Sequence, residues 1–181
     1  SSSSAASDVY KRQAFFTDSA EIRGMLLVEG ALARVQGALG IIPETAAAFI
    51  DRSSRDVLID PAALAAETAV NAVPVPALVS AFRKAMAAPD HAQYLHWGAT
   101  SQDIIDTGLA LRLRRVVELW DERLAALLKA LGRMAGDHAD LPMAARTYGQ
   151  VATPTSFGSV VAGWGRPILR HRHRLREVST D

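Results

Sequence analysis

The sequence predicts an all-α fold, an N-terminal helical domain followed by the first long helices of a helical bundle. Three observations carry this. Apolar residues make up 49% of the 181 positions and aromatics 6%; Ala and Leu, both good helix formers, dominate, and β-branched runs are short and rare. From Ile105 to Met134 the apolar side chains recur every three or four residues, the period of one helix face. Gly and Pro fall between such stretches, where they stop one helix and start the next.

The elements follow in order. Residues 1–13 are Ser-rich and polar, lack the apolar centre of a signal peptide, and are expected to be a disordered or non-native tail. Ser19 to Leu39 is the first strong helix, with Ile22, Met25, Leu32, Gln36 and Leu39 at helical spacing; Gly40 and Pro43 end it. A short helix is expected over Pro43 to Asp51. The next opens on Asp60-Pro61, a cap and first-turn pair, and runs to about Val70. Asn71 to Pro76 holds two prolines and is predicted to be irregular. Ala77 to Ala87 is helical again. Pro89 to Thr100 is predicted to be a loop, and it concentrates His91, Tyr94, His96 and Trp97. Ser101 to about His138 is the longest helix, about 50 Å at 1.5 Å per residue, which suggests a bundle shared between subunits. Asp140 to Pro154 is predicted to be irregular. Thr155 to Val178 is the last helix, with a kink expected near Gly163, Gly165 and Pro167.

Bulk properties narrow the function. The net charge is +1, from 20 basic and 19 acidic residues, so there is no electrostatic footprint for nucleic acid or a membrane surface. With no cysteine, disulfides, thiolate chemistry and Cys-based zinc sites are excluded. No apolar run reaches the roughly 20 residues of a membrane span. A cytoplasmic location is the default expectation. No Walker loop, dinucleotide-binding glycine pattern or Ser-His-Asp order is present.

Four segments hold residues suited to chemistry. In His96-Trp97-Gly98-Ala99-Thr100-Ser101-Gln102-Asp103, a glycine-containing loop runs straight into the long helix. The helix start leaves backbone N–H groups without intrahelical partners and carries a partial positive charge, and Thr100, Ser101 and His96 stand beside it: a cradle for a carboxylate or phosphate. The bland alternative is plain capping by Thr100 or Ser101, with Asp103 complementing the dipole. In Arg146-Thr147-Tyr148-Gly149-Gln150, an arginine able to grip a carboxylate bidentately stands beside hydroxyls, an amide and a phenol able to move a proton; the alternative is an irregular connection with a structural ion pair. Arg170-His171-Arg172-His173-Arg174 reads as a solvated basic helix end, because histidines two apart do not share a helix face. Asn71, before the Pro-bearing bend, either faces a site or caps a turn.

Together the first two segments resemble a known pair. His96 to Asp103, continuing to Asp106-Thr107, resembles the first signature region of the fumarase/aspartase superfamily, and Arg146 to Gln150 with Ala152-Thr153-Pro154-Thr155 resembles the second, in the same order and separated by one long helix. The resemblance runs from about Phe15 to Val178. Within the superfamily the sequence is most similar to the bacterial 3-carboxy-cis,cis-muconate cycloisomerases. It departs from adenylosuccinate lyases, the near relatives, at Asn71 and Tyr148, where those carry histidine.

The resemblance implies an N-terminal lyase domain over residues 14–100 and the start of a central bundle over 101–181. It implies a homotetramer whose active sites draw on several subunits, and no metal or organic cofactor. The reaction implied is addition or elimination beside a carboxylate; for the cycloisomerases, a muconate carboxylate closes onto a double bond to give a lactone in protocatechuate degradation. Asn71, Thr100, Ser101, Arg146, Thr147 and Gln150 would bind a di- or tricarboxylate, and His96 and Tyr148 would take the catalytic positions. The superfamily's Gly-Ser-Ser-x-Met-Pro loop, which carries the serine base, is not in this sequence, so the expectation is of a fragment inactive by itself. Two alternatives stand beside the cycloisomerase: another lyase of the superfamily, and a non-catalytic helical oligomerisation module.

Overall fold

Helix propensity and punctuation account for most of what is observed. The computed structural model describes Tyr10 and residues 13–180; the expectation for residues 1–13 lies almost wholly outside them. A short 3-10 turn, Ala14–Phe16, precedes α1 (Asp18–Ala38), capped by the Thr17 hydroxyl accepting from the Ala20 N–H. There follow α2 (Glu44–Asp56), α3 (Pro61–Asn71), α4 (Val75–Met86), a single turn α5 (Pro89–Ala92), α6 (Ser101–Asp137), the strands β1 (Pro142–Thr147) and β2 (Gln150–Ser156), and α7 (Phe157–Thr180). The Asp60 carboxylate accepts from the Ala62 N–H and Pro61 sits in the first turn of α3, as the Asp-Pro pair predicts.

Three expectations are corrected. The short helix after Pro43 extends to Asp56, because Ala46, Ala47, Ile50 and Ser54 keep one face buried beyond Asp51. The irregular stretch ends early: Pro74 precedes the helix and Pro76 lies in its first turn, where a missing N–H breaks no helical bond. Asp140 to Pro154 is not irregular. It contributes to a two-stranded antiparallel ribbon pairing Thr147 with Gln150 and Pro142 with Ser156. Tyr148 (φ 49°) and Gly149 (φ 77°) form its two-residue turn, and two positive φ values are what such a tight hairpin requires. The register shifts between Ala144 and Arg146. Pro154 is tolerated because both strands of a ribbon are edges. α7 continues through Pro167.

The chain forms two compact units, residues 1–113 and 114–181, with the boundary inside α6. In the first, Met25, Leu26, Ile50, Leu78, Phe82, Leu95 and Ile104 are all but fully buried and form the core. α1 and the start of α6 pack at a pair of glycines. A Cβ on Gly24 would lie 3.1 Å from the Gly108 carbonyl oxygen, so the two backbones touch where no side chain intervenes. In the second unit, Asp121 of α6 accepts from both Arg172 (Nε 2.7 Å, Nη2 3.1 Å) and Arg176 (Nε 2.9 Å, Nη2 3.1 Å) of α7. Those hydrogen bonds, Arg172's first, hold the Asp121 carboxyl well below the usual carboxylate range. Part of the basic helix end is therefore a structural clamp.

Candidate functional site

The aromatic-rich segment before α6 is held in place from three sides. Arg83 of α4 donates from Nε to the Ala92 carbonyl (3.2 Å) and from Nη2 to the Leu95 carbonyl (2.9 Å). Gln36 of α1 donates from Nε2 to the Trp97 carbonyl (2.7 Å). Leu95 is buried in the core, and the Tyr94 and Trp97 rings lie 5.9 Å apart. Between these anchors His96 adopts a left-handed backbone (φ 61°), followed by Gly98 (φ 67°). Such a conformation is strained for a residue with a Cβ, and it persists where the surroundings over-determine it.

The side chain of His96 meets a group that sequence reasoning missed. Its Nδ1 lies 2.6 Å from Oε1 of Glu29, whose residue is 2% exposed. Burial is the largest influence on Glu29 and pushes its carboxyl above the usual value; the His96 charge and hydrogen bond, and the charge of Arg83, oppose this. Oε2 of Glu29 is buried without a hydrogen-bond partner. A signal for Glu29 exists in the sequence: the buried face of α1 steps through Ile22, Met25, Glu29 and Ala33, and a lone acid on such a stripe requires a partner.

This burial has a pH consequence. A carboxyl raised in the folded state binds its proton more tightly there than in the unfolded chain. Its stabilising contribution is therefore fully present below the ordinary glutamate value and is lost as pH rises through the raised one. Glu29→Gln is expected to remove that loss, so its Tm should rise relative to the parent as pH is raised from 4 to 8. A constant Tm difference across that range, followed by circular dichroism, would refute this.

His96, Arg83, Ser101 and Ser80 line one open cleft of about 440 Å³, floored by Val75 and Val79. Two hydroxyls, an imidazole and a guanidinium around an apolar floor can bind a small carboxylate with an unsaturated or aliphatic body. Of the residues expected here, His96 and Ser101 line the cleft. Thr100 is exposed beside it, and its N–H donates to Asp103 Oδ2 (3.0 Å), the half of a capping box in which the acidic side chain reaches back to the helix start. Asn71 is exposed at the end of α3 and does not line the cleft. Arg146, Thr147, Tyr148 and Gln150 surround the hairpin turn in the second unit and are all exposed, Tyr148 fully. Among the described residues no cluster of His, Asp and Glu is arranged to hold a metal ion, and no helix is long and apolar enough to cross a membrane.

With this geometry in hand, the chain can be set beside known proteins. A family model described as Lyase matches residues 5–181. The 3-carboxy-cis,cis-muconate cycloisomerase of Pseudomonas aeruginosa is 43% identical over 168 residues, which are 92% of this chain and 37% of that protein. Nitrosuccinate lyase of Streptomyces davaonensis is 40% identical over 169 residues, 92% of this chain and 36% of that protein. The crystal structure of the 3-carboxy-cis,cis-muconate lactonizing enzyme from Pseudomonas putida superposes with a TM-score of 0.88 at 38% identity, covering 94% of this chain and 40% of that one. The chain thus spans under half the length of the relatives it matches.

Proposed function

The chain belongs to this lyase family, and from that premise we propose that it is the substrate-binding N-terminal part of a 3-carboxy-cis,cis-muconate cycloisomerase. The observation that carries the reading is the cleft in which His96, held by a buried carboxylate, stands with Arg83 and Ser101. During lactonisation one carboxylate adds to a double bond, and negative charge accumulates on the carboxylate beside the carbon that becomes carbanion-like. Donors already aimed at that charge lower the barrier without reorganising. Ser101 and the N-terminus of α6 are such donors, with His96 orienting the substrate. Arg146, Thr147 and Gln150 form a second group of donors and Tyr148 a proton carrier; they complete the site with the first group when chains assemble, as a homotetramer. The residues at work need no metal or organic cofactor. The N-terminal domain is residues 14–100, and the central bundle begins at Ser101.

The test is a chimera in which this chain replaces the matching segment of the Pseudomonas aeruginosa cycloisomerase. It is expected to form lactone from 3-carboxy-cis,cis-muconate, and Ser101→Ala or Arg146→Ala to lower kcat/KM by about 100-fold each. Turnover unaffected by both substitutions would sink the site assignment and favour a helical oligomerisation module. A second reading, another lyase of the family, draws on the similarity to nitrosuccinate lyase. Preferential turnover of nitrosuccinate or adenylosuccinate by the chimera would establish it, although Asn71 and Tyr148 argue against adenylosuccinate.

A further inference from the structure

Glu29 is costly where it stands. A carboxylate that is 2% exposed, with one oxygen on His96 and the other unpartnered, is worse for folding than a well-packed apolar side chain of similar size. Stability therefore does not account for it. His96 is costly as well, through its left-handed backbone. Two unfavourable features meet at one 2.6 Å contact on the wall of the cleft.

We infer that Glu29 is the positioning residue of the site: its Oε1 accepts from the Nδ1–H of His96, so that Nε2 is the ring nitrogen left for the cleft, an acceptor while the ring is neutral and a donor to a substrate carboxylate once the ring is protonated. A free imidazole exchanges its proton between two nitrogens and rotates about two bonds. A fixed acceptor at Nδ1 removes both freedoms, because only Nδ1 can then carry the shared proton. The anchors around the ring make this contact rigid. Arg83 holds the Leu95 carbonyl on one side and Gln36 the Trp97 carbonyl on the other, so the ring cannot follow Glu29 by moving the backbone. Arg83 also lines the cleft, so one residue both braces the segment and supplies positive charge to the bound anion. The identity of the substrate rests on the cycloisomerase reading; the orientation of the ring does not.

Long-range 1H–15N correlation spectra of the chain show which nitrogen of His96 carries the proton, recorded well above the ordinary imidazole value of about 6.5. The parent is expected to show Nδ1 protonated, with its proton far downfield. Glu29→Leu is expected to unfold at an equal or higher temperature, while His96 reverts to the mixture of a free imidazole dominated by Nε2–H. Its affinity for tricarballylate, a saturated tricarboxylate probe read from the His96 signals at a pH below the ordinary imidazole value of about 6.5, where a protonated ring held by Glu29 donates from Nε2, should fall about tenfold. Glu29→Gln keeps an acceptor oxygen but loses the charge. It should retain the Nδ1–H tautomer with that proton shifted upfield, and it carries the test if the Leu variant does not fold. An unchanged tautomer in a folded Leu variant, or an unmoved Nδ1 proton in the Gln variant, would overturn the positioning role. Failure of the parent to bind tricarballylate, with the tautomer switching as expected, would count against the carboxylate reading and leave the positioning role standing.

Discussion

Phe82→Ala is expected to destabilise the first unit by about 3–5 kcal/mol, as large-to-small changes at fully buried aromatic positions do. Phe82 is the largest of the fully buried side chains and shows no exposure. It lies on α4 next to Arg83, whose guanidinium braces the segment carrying His96. Loss of the ring leaves a cavity in the core that Phe82 shares with Leu78, Leu95 and Ile104 unless that core collapses into it, and Leu95 directly precedes His96. The effect should therefore reach the cleft: the variant should bind tricarballylate more weakly even under conditions where it remains folded. Urea denaturation measures the stability change. A loss under about 1 kcal/mol would show that the site relaxes far more freely than a close-packed core allows.

The second large effect is expected at Gly158. Here α7 leaves β2 and turns against the end of α6, with the Phe157 N–H donating to the Leu141 carbonyl (2.9 Å) and the Gly158 N–H to the His138 carbonyl (2.9 Å). A Cβ on Gly158 would stand 2.4 Å from the Ala135 carbonyl oxygen and 2.8 Å from both the His138 oxygen and Ala139 Cα. All three are backbone atoms, so no flexible side chain can give way. Gly158→Ala must push α7 off the end of α6, at a cost near the upper end of the roughly 1–3 kcal/mol of overpacked sites. The damage should stay in the second unit. Hydrogen exchange is expected to quicken across β1, β2 and the start of α7, while amides of α1 and α4 keep their protection. In the chimera, turnover should fall because the hairpin bearing Arg146, Thr147 and Gln150 is displaced. Unchanged protection in the hairpin would show that the contact at Gly158 is not what holds it.

The hairpin was the least legible element in the sequence, and its residues explain why. β1 reads Pro-Met-Ala-Ala-Arg-Thr, with two alanines and no alternation of apolar and polar positions. β2 has Pro154 near its centre. Neither carries the period-2 pattern that marks a half-buried strand, because no position in the ribbon is buried in this chain. The one local signal was Tyr148-Gly149, a pair able to form a tight turn but less telling than Asn-Gly. The shortfall at α2 has a different cause. Its buried face past Asp51 depends on Ser54, a small polar residue that periodicity does not count as core.

The sequence by itself determined the all-α character, the order of the helices, the Asp60-Pro61 start of α3 and the length of α6, because propensity, capping and a 3.6-residue period are local properties. It also held the two signature segments that mark the lyase family. Tertiary structure alone decided what faces His96. Glu29 is 67 positions away, and its partner follows from the packing of α1 beside the anchored segment, which no local rule supplies. The same packing made Arg83 a member of the cleft and left Asn71 outside it. A buried carboxylate requires a counterpart, but which one it finds is settled only when the helices close around it.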